Sequence, residues 1–417
     1  MVNNKFLSNS LEISANQESD KLNISHWLFL LFWLLKPFYL WESGSIQVSD
    51  FVFLMSFAAW LVINRGNILI EGHNLYFFLF ITFTLVINIA YLYILKDLSY
   101  LVSTFYYVYN FLVILIFSDF KHNKTFLKAL LWASAFNLFV QLAILTLGLG
   151  SYFWGDFRFM GSFNDPNQFS FSMFTSFLIV YILSQYFYNQ ENHSRFTTVL
   201  VAFALAFYFV VQGSSTGMLL GFIVFVLMMV VSFINLEKTP AFVFLKFSGI
   251  LLIACIILIV AAMGFSGPSL EASPDSSSFL FFRMTQKLDI LSGGGFEALL
   301  KDRGMDKIIS YPFYLIFGAG EGSFIERFPE SVYEVHSTFP GILFYYGIIP
   351  FIILCAWIWH HVKSIHLMLL PVYFALLMES LTLANQRQPA FWMIIMLGSL
   401  SYMNRPEQCR FKLMRKI

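Results

Sequence analysis

Phe157-Arg158-Phe159-Met160-Gly161-Ser162-Phe163-Asn164-Asp165-Pro166-Asn167-Gln168 is a polar knot between two long apolar runs, residues 125–149 and 167–188. An arginine and an aspartate beside hydrocarbon cost free energy, so polar groups at such a place usually have a job. Pro166 fixes its own φ and pushes Asp165 out of the helical region. The knot therefore reads as a turn entering a helix, with Asn167 as the expected cap. The runs on either side are continuous and helix-length, the pattern of membrane spans.

The same pattern extends outward over the chain. Its 417 residues are 58% hydrophobic and only 12% charged, with a mean hydropathy of +0.71. A soluble domain carries about 25% charged residues. The expected class is an all-α polytopic integral membrane protein, because spanning backbone must satisfy its own hydrogen bonds. A membrane β-barrel would show alternating segments of about ten residues instead. Apolar runs fall at 26–41, 49–64, 74–95, 98–118, 125–149, 167–188, 196–212, 216–236, 245–265, 338–359, 364–383 and 389–403. That predicts about 12 transmembrane helices.

Short loops set the orientation. With a cytoplasmic N-terminus, Arg65, Lys121, Lys124, Lys128, Arg195, Lys238, Lys246, Lys363 and the basic tail all fall inside. The short outer loops then hold only Lys96, Arg158 and Arg387. The expected organisation is one integral membrane domain: a cytoplasmic segment 1–25, spans one to nine over 26–265, a large external loop 266–337, spans ten to twelve over 338–403, and a cytoplasmic tail 404–417. The external loop reads as partly helical, since Phe296, Leu299, Leu300 and Arg303 share a face at helical spacing. Tyr311–Phe317 is apolar but too short to span, hence interfacial or re-entrant. Gly318-Ala319-Gly320-Glu321-Gly322 reads as a turn that permits close backbone approach.

Several classes are disfavoured. Cys255, Cys355 and Cys409 show no paired spacing that would imply a disulfide framework or a metal site. A net charge of +1 without a basic patch gives no sign of nucleic-acid binding. The polar first 25 residues lack a cleavable signal pattern. No P-loop, G-x-S-x-G elbow or loop D-x-D pair is present, which argues against ATP or a nucleotide-sugar donor. The 52 phenylalanines read as packing and lipid-facing surface.

Candidate chemistry concentrates on the outer side. His336 directly precedes the tenth span, and Glu326, Glu330 and Glu334 lie just before it. A histidine near neutral pKa takes a proton from a hydroxyl, although spacing alone favours a helix-end histidine contacting water. Arginine holds phosphate oxygens in a planar fork. Arg158 reads as such a group or as an interfacial arginine snorkelling to headgroups. Arg303 shares the apolar face of Leu299 and Leu300, where a purely solvated arginine has no reason to sit. Arg283 is a further candidate. Lys287, Lys301, Lys307 and Arg327 read as solvated charges. Lys36 lies near the outer end of span one, and Glu379 with Arg387 reads as a structural pair. His360, His361 and His366 cluster at the cytoplasmic interface, and no carboxylate there completes a metal site. Asn88, Asn110 and Asn137 are the notable polar residues within spans.

The motifs resemble a known superfamily. Arg158-Phe159-Met160-Gly161-Ser162-Phe163-Asn164-Asp165-Pro166-Asn167 resembles the R-x-x-G-x-x-x-x-P-N signature of the O-antigen polymerase and O-antigen ligase superfamily. Ile316-Phe317-Gly318-Ala319-Gly320-Glu321-Gly322-Ser323-Phe324 is similar to its G-x-G-x-x-F turn. His336-Ser337-Thr338, followed by Gly341 through Gly347, is similar to its H-(N/S)-x-x-L block. Arg303 matches the superfamily's arginine ahead of that turn. Gly213-Ser214-Ser215-Thr216-Gly217 departs from the S-R-(G/S) of many members and lacks the arginine, a contact Arg283 would supply instead.

The resemblance implies a GT-C-like, metal-independent membrane glycosyltransferase with no cofactor, in a bacterial inner membrane with its site facing the periplasm. Its donor would be an undecaprenyl-pyrophosphate-linked oligosaccharide, in contact with membrane lipids. His336 would be the general base, and Arg158 and Arg303 would hold the leaving pyrophosphate. Arg283, Asn167, Glu321, Arg387 and Lys36 would line the substrate site. A chain-length regulator and a flippase of the same pathway are the partners such a protein would have. Polymerase is favoured over ligase by the G-x-F-x-D-P-N form of the knot. A lipid-linked glycan flippase is the reading from another class; it would line a midplane path with polar residues.

Overall fold

The computed structural model describes residues 21–42, 46–68, 70, 72–153, 157–191, 196–234, 297, 300–301, 303–322, 327–328 and 334–400. The protein is mostly helical. In chain order the main elements are α1 (Ile24–Leu35), α2 (Val48–Ile63), α3 (Asn74–Leu95), α4 (Ser99–Phe120), α5 (Lys124–Thr146), β1 (Ser151–Phe153), β2 (Arg158–Gly161), α6 (Pro166–Glu191), α7 (Phe196–Gln212) and α8 (Thr216–Ile234). After them come α9 (Asp306–Ser310), α10 (Tyr314–Phe317), α11 (Thr338–Tyr346), α12 (Ile348–Val362), α13 (Leu370–Ser380) and α14 (Pro389–Leu397).

Among the described residues four helices are long and apolar enough to cross a membrane: α3, α4, α5 and the Pro166–Tyr188 part of α6. Shorter apolar helices include α1, α2, α7 and α12. The chain is therefore a helical membrane protein. The ninth apolar run, 245–265, lies outside the described residues.

Polar and small residues fix the helix pairs. Ser25 and Ser56 exchange hydroxyl-to-carbonyl bonds of 2.8 Å between α1 and α2. Trp33 Nε1 donates to Ser134 Oγ at 3.0 Å, and Asn137 Nδ2 donates to the Trp33 carbonyl at 3.2 Å, tying α1 to α5. Asn110 Nδ2 donates to the Gln386 carbonyl at 2.9 Å. Asn88, Asn110 and Asn137 thus link elements, as polar residues between spanning helices commonly do.

Phenylalanine supplies the core. Phe29 is fully buried, with the rings of Phe32, Phe53, Phe117, Phe120 and Phe126 at 5.4–6.3 Å. Phe177 is a second hub among Phe203, Phe222 and Phe225 at 5.0–5.5 Å. Each such pair contributes about 0.5–1.5 kcal/mol beyond burial. Phe105, Tyr93 and Val62 point outward and are exposed, as side chains facing hydrocarbon do.

A short hairpin accompanies the helices: β1 and β2 pair antiparallel, with Phe153 opposite Arg158 and an irregularity between Ser151 and Tyr152. One expectation is corrected. The run 338–359 is not one continuous helix. Gly347 has φ +80 and ψ 178, a conformation open essentially to glycine alone, and it breaks the run into α11 and α12. The Ile316 carbonyl of α10 stands where a Cβ on Gly347 would lie, so α10 sits against the break.

Candidate functional site

The knot, the 334–338 segment and the 380–388 loop gather at one end of the bundle. Asp165, not Asn167, caps α6: its Oδ1 accepts from the amides of Asn167 and Gln168 at 2.8 Å each. Asn167 is free of capping because Pro166 starts the helix, which shifts the cap back by two positions. Its side chain instead faces β2, where Arg158 Nη2 donates to Asn167 Oδ1 at 2.9 Å. Arg158 Nε donates to the Gly213 carbonyl at 3.0 Å, and the residue is buried. The turn thus holds the guanidinium in place.

The Gly213–Gly217 turn connects this arginine to the next. The Thr382 side chain lies where a Cβ on Gly217 would stand. The Thr382 carbonyl accepts from Arg303 Nη1 at 2.7 Å. The Arg303 carbonyl accepts from the His336 amide at 2.9 Å. Arg158, Arg303 and His336, which the sequence singled out, are therefore linked through neighbouring backbone and one threonine. Arg283 lies outside the described residues, as do Glu326, Glu330 and Lys287.

The extended segment 334–337 is fixed residue by residue. The Val335 amide donates to Tyr345 Oη at 2.8 Å. Ser337 Oγ donates to the Ser380 carbonyl at 3.3 Å. Thr338 Oγ1 donates to the Leu383 carbonyl at 2.8 Å and accepts from the Asn385 amide at 2.9 Å.

Arg387 and Glu379 do not pair. Glu379 is fully buried with Asn385 Nδ2 at 2.5 and 2.6 Å from its two oxygens. Arg387 Nη2 lies 2.7 Å from Glu321 Oε1 and 3.3 Å from Glu334 Oε2. Burial opposes charge on the guanidinium, but Glu321 and Glu334 outweigh it and hold the Arg387 pKa well above the ordinary arginine value. Tyr346 Oη donates to Glu321 Oε2 at 2.6 Å, and the Glu321 amide donates to Asn88 Oδ1 at 3.1 Å. Glu321 is thus a buried anchor rather than a lining group. Lys36 is likewise tied, to Asp50 Oδ1 at 2.9 Å, where Tyr109 Oη also donates at 2.7 Å.

Two residues read as solvated are not. Lys307 is fully buried beneath the Phe328 ring, 5.4 Å away. Arg327 is half-buried: its guanidinium lies 4.4 Å from the Tyr91 ring, near Tyr314 and Phe328, and donates to Tyr100 Oη and the Ala319 carbonyl. Loop position gave no sign of either, because their partners come from distant segments.

An open apolar groove of 740 Å³ begins beside Arg303, walled by Leu300, Met305, Ile309, Phe339, Leu343 and Trp359. The opposite end of the bundle holds a different cluster. There His73 stacks on His360 at 4.3 Å and meets His361 edge-on at 4.9 Å. Among the described residues no group of histidine, cysteine and carboxylate side chains is arranged to hold a metal ion.

No family model, curated protein or solved structure matches this chain. Fold and site together define a helical membrane protein with an arginine- and histidine-bearing site at one end.

Proposed function

We propose that this protein is a polysaccharide polymerase of a bacterial inner membrane, joining undecaprenyl-pyrophosphate-linked oligosaccharide repeat units on the periplasmic face. In this reading the chain has about twelve spans, and both termini are cytoplasmic. The observation that supports it is the linkage of Arg158, Arg303 and His336 around the Gly213–Gly217 turn. Their motifs are far apart in sequence, yet hydrogen bonds join the backbone of His336 to Arg303, and the Arg303 and Arg158 guanidinium groups each reach a carbonyl next to or within that turn.

The chemistry follows from those groups. The acceptor hydroxyl attacks the anomeric carbon of the donor glycan as His336 takes its proton. The bond from that carbon to the pyrophosphate oxygen breaks, and the configuration inverts. Negative charge grows on the leaving pyrophosphate, and fixed guanidinium groups in a low-dielectric site lower that barrier. Arg158 and Arg303 supply them. The groove beside Arg303 gives the polyprenyl tail an apolar bed.

The test is complementation of a deletion strain with wild type, His336→Ala or Arg158→Ala, followed by gel analysis of lipopolysaccharide. Loss of a polymerase leaves core carrying a single repeat. Bare core with polymer retained on the carrier lipid would instead assign a ligase that transfers to lipid A core. Bare core with the repeat-bearing carrier retained on the cytoplasmic face would assign a flippase. A normal ladder from both variants at normal expression rejects the site.

A further inference from the structure

The geometry points to Glu334 and Arg387 as positioning residues that hold the His336-bearing segment, through an ion-pair latch anchored on Glu321. The inference rests on the polymerase reading for what His336 does, and on the structure alone for how His336 is held.

The segment 334–337 has no regular secondary structure, so the backbone around His336 lacks a ladder or helix to fix it. Its backbone and hydroxyl bonds run to Tyr345, Arg303 and Ser380. The charged side chain at its start, Glu334, reaches Arg387 two residues before His336. Arg387 reaches past it to Glu321, whose side chain is 0% exposed, against 27% for Arg387 and 22% for Glu334. The two carboxylates thus sit at unequal depth. The deep arm is short, at 2.7 Å, and belongs to the Gly318–Gly322 turn; the shallow arm is 3.3 Å and belongs to the histidine segment.

The deep arm keeps Arg387 in place by itself. Tyr346 and Asn88 hold Glu321 from behind, and a guanidinium fork offers a second face to another carboxylate. The shallow arm then transfers that rigidity to the segment carrying His336. Catalytic groups must be held within fractions of an ångström of their working geometry, so loosening this arm reduces turnover without touching substrate.

The variant that reads this is Glu334→Ala, because it leaves the buried Glu321–Arg387 pair intact. Arg387→Gln alone would strand a buried carboxylate and risks misfolding. The double variant Glu321→Gln/Arg387→Gln removes both charges and detaches the segment by another route. Full-length protein in nanodiscs is assayed for transfer with a polyprenyl-pyrophosphate-linked repeat unit. Backbone hydrogen exchange is followed in peptides covering residues 334–338.

Expected for Glu334→Ala is at least a tenfold loss in kcat with KM within twofold of wild type, together with faster exchange at 334–338. The double variant should lose no more than Glu334→Ala, and adding Glu334→Ala to it should change nothing further, because the three residues act as one unit. Unchanged exchange in Glu334→Ala overturns the latch. A KM rise with kcat retained also overturns it, by making these residues substrate contacts. If wild type transfers nothing while exchange responds as expected, the polymerase reading fails and the latch stands.

Discussion

The backbone amide of His336 donates to the carbonyl of Arg303 across 2.9 Å, joining two residues that stand 33 positions apart. The bond uses main-chain atoms on both sides. The imidazole and the guanidinium therefore project from a shared backbone junction while remaining independent of it. Arg303 turns its guanidinium toward the Thr382 carbonyl.

His336→Ala should leave that junction whole. The expected outcome is a fall in glycan transfer of about 10²–10⁴-fold, the usual contribution of a general base. The thermal unfolding midpoint is the control, because the backbone bond to Arg303 survives the substitution and the fall in transfer should far exceed any change in stability. A large midpoint drop would show that His336 is structural.

Arg158→Lys separates fixation from charge. Arg158 reaches Gly213 O and Asn167 Oδ1 with two different nitrogens, which one ammonium cannot match. The variant leaves one buried acceptor unsatisfied, at a cost of about 1–3 kcal/mol. Asn167→Ala removes a single partner and should cost less than Arg158→Ala. The check is denaturation of the purified protein in detergent. Equal stability of Arg158→Lys and wild type would show that the charge alone matters.

Helix position was legible where apolar length is written locally: the runs at 74–95, 98–118 and 125–149 reappear as α3, α4 and α5 within a few residues. Arg158, Arg303 and His336 were singled out through motifs far apart in sequence, and the hydrogen bonds that link them came from the fold. The ion pairs were not legible. Arg387 and Glu321 are 66 positions apart, and Asn88 reaches Glu321 across 233. The nearer carboxylate, Glu379, took an amide partner from its own loop, six residues away. Sequence proximity favoured the wrong pair because the chain between Glu321 and Arg387 must fold before the right one exists. The break at Gly347 left a faint signal, a glycine inside an apolar run, but the Ile316 carbonyl that stands against it comes from another segment.

Lys307 sits outside the spanning segments, and burial lowers its pKa more than Asp306 and Glu334 raise it. A folded-state pKa below the ordinary lysine value means that charge on this side chain opposes folding. The opposition is full at low pH and fades as pH rises from the folded pKa to the unfolded one. Lys307→Met should therefore raise the unfolding midpoint at neutral pH. The gap between variant and wild type should narrow as pH climbs toward the ordinary lysine value. A midpoint scan from pH 7 to about 10 reads this; a gap that widens would mean that attraction to Glu334 and Asp306 outweighs burial.

Gly347 and Gly341 lie on either side of the α11 terminus and should respond to alanine in opposite directions. Gly341 is helical, and an added Cβ would meet the Tyr345 ring and the Val335 carbonyl at 3.5 Å, an ordinary contact. Gly341→Ala should gain up to about 1 kcal/mol from reduced freedom of the unfolded chain. Gly347 combines φ +80 with ψ 178, and its added Cβ would collide with the Ile316 carbonyl. The backbone conformation alone costs an alanine about 1–3 kcal/mol. The collision adds to that, because relief requires moving α10 rather than a side chain. Since α10 leads directly into the Gly318–Gly322 turn that carries Glu321, Gly347→Ala should also speed hydrogen exchange at residues 314–322. A midpoint for Gly347→Ala equal to that of wild type would mean that α11 and α12 tolerate a continuous helix, and that the α10 contact is not what breaks them.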